Sequence, residues 1–187
     1  MRIALIAIVL IGSIVALGAP GLTQPATDDL LIVPGQRIGL LRVGMSITDA
    51  AAVMGTPKPA NTKIVSVVLP VPVGATAFEW PPSSEAQRQG AGPHDGFAVI
   101  TDKAGMVYEI QSTFDRRYHT VEGVHVGSKL TDVTNAFGAP TSEKTSGHER
   151  LYVYDQRGIV ILFQDNRQIS NYGLVNGFWV LAPRATP

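Results

Sequence analysis

The sequence predicts an α+β fold of two tandem units, each a short helix packed on a three- or four-stranded antiparallel sheet. The first observation behind this is a repeat. Val43–Pro57 and Val126–Pro140 align over fifteen positions, without a gap, at a constant offset of 83. Identities fall at Val43/Val126, Gly44/Gly127, Thr48/Thr131, Asp49/Asp132, Gly55/Gly138 and Pro57/Pro140. The second is that each copy carries helix start and stop signals. The third is that each copy is followed by short alternating or β-branched runs separated by turn residues.

Within the repeat, Ser46 suits an N-cap, with Asp49 at the N3 position of a capping box. In the second copy Ser128 is the better cap by composition. Asp49 and Asp132 lie in the first turn, where a carboxylate meets the positive end of the helix dipole. Ala50, Val53 and Met54 form one apolar stripe, and Val133, Ala136 and Phe137 form its counterpart. Gly55 and Gly138 stop the helices, and Pro57 and Pro140 prevent them resuming. Helices this short do not persist alone in water, so each needs a sheet to lie on.

Taken from the start, Arg2 followed by the uncharged aliphatic run Ile3–Leu17 matches a secretory signal. Residues 1–18 are assigned to it, with cleavage after Gly18. The alternative is an uncleaved anchor reaching Leu22, which would tether the chain to the inner membrane through residues 3–22. Either way the protein is expected to be exported, periplasmic or extracellular. Residues 19–35 form a linker, 36–115 the first repeat and 119–182 the second.

Lys63–Leu69 is a β-branched run, and Ala75–Trp80 an alternating one. Pro81–His94 is a long aperiodic loop rich in Pro, Gly, Ser and Gln. Gly96–Thr101 and Met106–Ser112 form a hairpin through Asp102–Gly105. Phe114–His119 joins the halves. After the second copy come a polar loop, Thr141–Glu149, and strands at Leu151–Tyr154 and Gly158–Phe163. Arg167–Tyr172 is matched to Met106–Gln111, and Phe178–Leu181 is taken as a last edge strand.

Composition narrows the function classes. The 15 basic and 15 acidic residues cancel and form no basic stripe, which argues against nucleic acid. The absence of Cys excludes disulfides, thiolate metal sites and a lipid-bearing cysteine. His94, His119, His125 and His148 show no metal-ligand spacing. No nucleophile elbow or phosphate-cradling loop is present. The chain is therefore expected to be no enzyme, with no catalytic residue, metal or cofactor. Phe78 and Trp80 share one strand face, as do Tyr152 and Tyr154. Exposed, they would make an aromatic platform for a protein partner. The competing reading puts that face under the helices as core.

The pattern Val-Gly-Met-Ser-x-x-Asp-(x)5-Gly-x-Pro, then an aromatic strand and Gly-x-x-Val/Ile-x-Phe, resembles the SmpA/OmlA (BamE-like) domain. The tandem layout is similar to the repeats of the β-lactamase-inhibitor protein. Gly44, Met45, Ser46, Asp49, Gly55 and Pro57 carry the resemblance in the first copy. Gly127, Asp132, Gly138, Pro140, Tyr152, Gly158, Ile161, Phe163 and Ile169 carry it in the second. It implies a non-catalytic module of the bacterial cell envelope that binds envelope or secreted proteins. The alternatives are a secreted hydrolase inhibitor acting through the Pro81–His94 loop, or a structural envelope protein without a specific ligand.

Overall fold

The computed structural model describes residues 28–60, 71–81, 96–165 and 173–183. In chain order these form β1 (Leu31–Val33), β2 (Arg37–Ile38), β3 (Leu41–Arg42), α1 (Ile47–Met54), β4 (Lys58–Pro59), β5 (Thr76–Trp80), β6 (Phe97–Thr101) and β7 (Val107–Thr113). Then follow β8 (His119–Thr120), α2 (Leu130–Phe137), β9 (Ser142–Ser146), β10 (Glu149–Tyr154), β11 (Ile159–Gln164) and β12 (Val175–Leu181).

The α+β expectation of two units, each a helix on its own sheet, is overturned. The protein is mostly β. One antiparallel sheet of eight strands runs β4-β5-β6-β7-β12-β11-β10-β9 without a break between the halves, and a second sheet runs β3-β2-β1-β8. The reason is area. The described helices have eight residues each, about 12 Å of length, which leaves much of an eight-stranded face uncovered. The second sheet fills that space, drawing on segments read as linker and joiner. Leu31–Val33 pairs in parallel with β8 and antiparallel with β2. Ile32, Ile38 and Leu41 thereby enter the same core cluster as Ala50, Val133 and Phe137.

The repeated segments do adopt like conformations. Ser46 Oγ accepts from the Asp49 amide at 3.0 Å. In the second copy the cap falls at Lys129, not Ser128: the Lys129 amide donates to Asp132 Oδ2 at 2.8 Å. Ser128 Oγ instead accepts from the His125 amide. Gly44 and Gly127 have φ of 84° and 97°. There each chain turns off the sheet, the Gly44 amide donating to Val107 O and the Gly127 amide to Val175 O.

Those last two bonds fix which strands correspond. Val175, not Ile169, occupies the position of Val107. Arg167–Tyr172 lies outside the described residues, as do Lys63–Leu69 and most of the Pro81–His94 loop. Phe178–Leu181 is no edge strand: β12 is central, paired with β7 and β11. The register breaks between Ile100 and Thr101 in one half and between Leu162 and Phe163 in the other, the same place in each. In the β7–β12 pairing Gln111 faces Trp179, with Ile110↔Val180 and Ser112↔Phe178 to either side. A local two-fold axis therefore passes through the Gln111–Trp179 pair.

The polar loop expected at Thr141–Glu149 is largely a strand, β9, in hairpin with β10. Its side chains are mostly exposed, so it carries no apolar alternation, and polar residues there blunt an open sheet edge.

The core lies on the helix side of the large sheet and includes Val99, Ile110, Ile161, Phe178 and Val180. A separate buried cluster lies on the opposite side: Leu151, Val153, Val160, Leu162, Trp179 and Leu181.

Candidate functional site

Strand parity places Phe78, Trp80, Tyr152 and Tyr154 on the helix side of the sheet. Of the two readings of this face, a platform or core under the helices, the burial matches the second. Trp80, Tyr152 and Tyr154 are only 6%, 5% and 4% exposed, and Phe78 packs half-buried against the same core. The Tyr152 ring packs tilted at 54° against Phe163, with centroids 5.0 Å apart. The face is filled because α1, α2 and the second sheet all lie on it, and large aromatic rings supply the volume.

Two of the four have a further task. Trp80 Nε1 donates to the Gly55 carbonyl at 2.7 Å. Tyr154 Oη donates to the Gly138 carbonyl at 3.2 Å. Both carbonyls belong to the glycine that ends a helix, where backbone acceptors lack helical partners. Each aromatic thus latches one helix C-terminus to the sheet. Burial raises the Tyr154 pKa to about 12, with the neighbouring Tyr152 adding to the effect.

Beside the first latch lies a cleft of about 340 Å³ lined by Met54, Thr56, Trp80, Phe97, Asp115 and Tyr118, among others. That volume is within the range of ligand-sized clefts. Trp80 ends β5 and Phe97 opens β6, paired across the ladder. The Tyr118 ring meets Phe97 edge-on at 5.0 Å. The turn between β7 and β8 supplies the polar wall. Asp115, 5% exposed, accepts from the Arg117 amide at 3.1 Å, from Nε at 3.0 Å and from Nη2 at 2.7 Å. This fork geometry neutralises a buried carboxylate. The Arg117 guanidinium also lies 5.9 Å from the Tyr118 ring centroid. Burial raises the Tyr118 pKa, with Asp115 reinforcing it. The turn opens at Phe114, the one non-glycine at positive φ (60°) among the described residues. A bulky residue there carries strain of about 1–2 kcal/mol.

The same corner of the second half is closed. Gly158 follows the Asp155–Arg157 turn and occupies the position of Gly96. Gly35, Pro183 and the Leu181 carbonyl crowd it, and Gly158 O accepts from the Gly35 and Leu181 amides. A smaller recess of about 170 Å³ lies elsewhere in that half, beside Tyr152, Phe163 and the Arg150–Asp165 ion pair.

Of the four aromatics singled out from sequence as candidate binding residues, then, only Trp80 lines the larger cleft. Phe97, Asp115, Arg117 and Tyr118 were not identified. The available signal was the Asp-Arg-Arg-Tyr-His cluster directly after a strand, in a segment read as a joiner. The cleft offers aromatic walls and a neutralised ion pair, an arrangement suited to gripping an apolar or aromatic group. Comparison with family models, with curated proteins and with solved structures found no match to this chain.

Proposed function

We propose that this protein is an exported, non-catalytic protein-binding module of the bacterial cell envelope, related to the SmpA/OmlA (BamE-like) domains. The Trp80–Phe97–Tyr118 cleft is its anchor site. One observation carries the reading: the corner that the second half fills with Gly35 and Pro183 stands open in the first half. An aromatic recess with a charged rim suits a projecting apolar side chain of a partner protein. The Asp115 carboxylate and the Arg117 guanidinium bind each other at 2.7 Å.

The test is capture from envelope extract by the chain beginning at Ala19. Thr56 is exposed and lines the cleft, so Thr56→Trp fills it without touching the core. Capture of the specific partner should weaken about tenfold, a loss of about 1.4 kcal/mol. Undiminished capture by that variant rejects the site.

A further inference from the structure

The larger cleft holds something an apolar pocket does not need, a buried carboxylate. Counting from Val107 and its counterpart Val175, Asp115 stands where the second half has Pro183. Pro183 packs against Gly35 and Gly158 and plugs its corner. Asp115 instead lines an open space of about 340 Å³ and is itself only 5% exposed. A buried charge is costly unless it is paired and hydrogen-bonded. Arg117 supplies the pairing. Asp115 Oδ1 accepts from the Arg117 amide and Nε, and Oδ2 accepts from Nη2 alone. An ionised carboxylate has about four acceptor sites, so one remains, on Oδ2. Among the described residues no other group donates to it. The Trp80 indole N–H, on the neighbouring wall, is already bonded to the Gly55 carbonyl.

These features restrict what the cleft can take. Its charge is balanced by the Asp115–Arg117 pair. Arg116, the next cation, turns away to line a separate recess beside Gly127. A cation would have to displace Arg117, and an anion would meet the Asp115 carboxylate. The walls of Trp80, Phe97 and Tyr118 favour a flat ring, held edge-on or offset. Phe97 and Tyr118 already meet in that way. A ring without a polar hydrogen expels water from Oδ2 and leaves its last site unbonded, which weakens binding. A ring that carries an N–H or O–H fills that site.

We propose that the cleft selects a donor-bearing aromatic side chain of the partner protein, the indole of a tryptophan or the phenol of a tyrosine. The ring lies among Trp80, Phe97 and Tyr118, and its N–H or O–H donates to Asp115 Oδ2. Asp115 is then the specificity-determining residue, and Arg117 holds it in place. This inference rests on the reading of the cleft as the anchor site and adds what the anchor is.

The test titrates the full chain, 1–187, with N-acetyl-tryptophanamide, N-acetyl-tyrosinamide, N-acetyl-phenylalaninamide and the ring-N-methylated form of the tryptophan probe. Binding is read from the NMR resonance of the Trp80 indole N–H, told from that of Trp179 by its loss in Trp80→Phe. The tryptophan and tyrosine probes should bind about tenfold more tightly than the phenylalanine and methylated probes. Thr56→Trp should block all of them. Equal affinities across the set overturn the donor requirement and leave the anchor site standing. No saturable shift with any probe, or shifts at Trp179 without one at Trp80, overturns the proposal outright. The anchor site itself is judged separately, by capture with Thr56→Trp.

Discussion

The two halves of the large sheet agree on one side and disagree on the other. Toward the helices, β5, β6 and β7 present Phe78, Trp80, Phe97, Val99 and Ile110, while β10, β11 and β12 present Tyr152, Tyr154, Ile159, Ile161 and Phe178. Both sets are apolar and tightly packed. Away from the helices, the first half has Ala77, Glu79, Ala98, Ile100 and Gln111 where the second has Leu151, Val153, Val160, Leu162 and Trp179. Like positions in the helix-side core are held alike by packing. Nothing in a sheet's backbone requires its other face to be apolar, so the two halves are free to differ there. The corner cleft adds a second asymmetry, open in one half and plugged in the other.

The comparison can be broken most decisively by removing bulk from each side of β12. Phe178→Ala on the helix side should cost about 4 kcal/mol, because the ring is 1% exposed and its cavity cannot collapse. Trp179→Ala on the other side should cost less, about 3 kcal/mol, because its ring is 7% exposed and belongs to the smaller buried cluster. Urea titration measures both, and equal losses would mean the two faces are equally structural.

Next in size come the glycines. Gly158 has φ 66° and leaves no room for a Cβ against the Leu181 carbonyl and Gly35. Gly138 has φ 76° with nothing within 4 Å of the same added atom. Gly158→Ala should therefore destabilise by about 3 kcal/mol, combining backbone strain with a clash. Gly138→Ala should cost about 2 kcal/mol from backbone strain alone, because its ψ of -157° lies outside the left-handed helical well. Thermal melts would sharpen the contrast, and matched losses would contradict the plugged corner.

The smallest effect concerns the latches. Trp80→Phe and Tyr154→Phe each remove one hydrogen bond to a helix-ending carbonyl and should each cost about 1 kcal/mol. They differ with pH. The folded protein holds the Tyr154 pKa at about 12, above the ordinary value of 10.0. Its contribution is thus complete below pH 10 and is lost as pH rises through 12. Tyr154→Phe should flatten that alkaline loss and Trp80→Phe should leave it in place, as stability measured between pH 8 and 12 would reveal.

Local signals made the helix ends legible. Ser46 and Asp132 cap as their chemistry dictates, the Asp49 carboxylate accepts from the Ser46 hydroxyl at 2.7 Å instead of completing a capping box, and Gly55 and Gly138 end both helices. The Asp102 turn also forms as its residues require, with Asp102 Oδ1 accepting from the Ala104 and Met106 amides. Reading Phe178–Leu181 as an edge strand failed because local pattern does not say where in a sheet a strand will sit. Ser142–Ser146 looked like a loop because an exposed edge strand needs no alternation. The aromatic face stayed open between platform and core for a related reason: parity groups Phe78 with Trp80 and Tyr152 with Tyr154, but only the layer above decides whether the group faces water. Asp115, Arg117 and Tyr118 were passed over because their significance depends on Trp80 and Phe97, brought beside them by the fold.

Short-range chemistry, written residue by residue, determined the repeat, the caps, the glycine stops and the turn at Asp102, since these depend on neighbours a few positions away. Pairing of β7 with β12, the fusion of both halves into one sheet, the second sheet across the helix side and the opening of one corner cleft were decided only in three dimensions. Those outcomes rest on hydrogen bonds and burial between residues far apart in the chain, which no local pattern records.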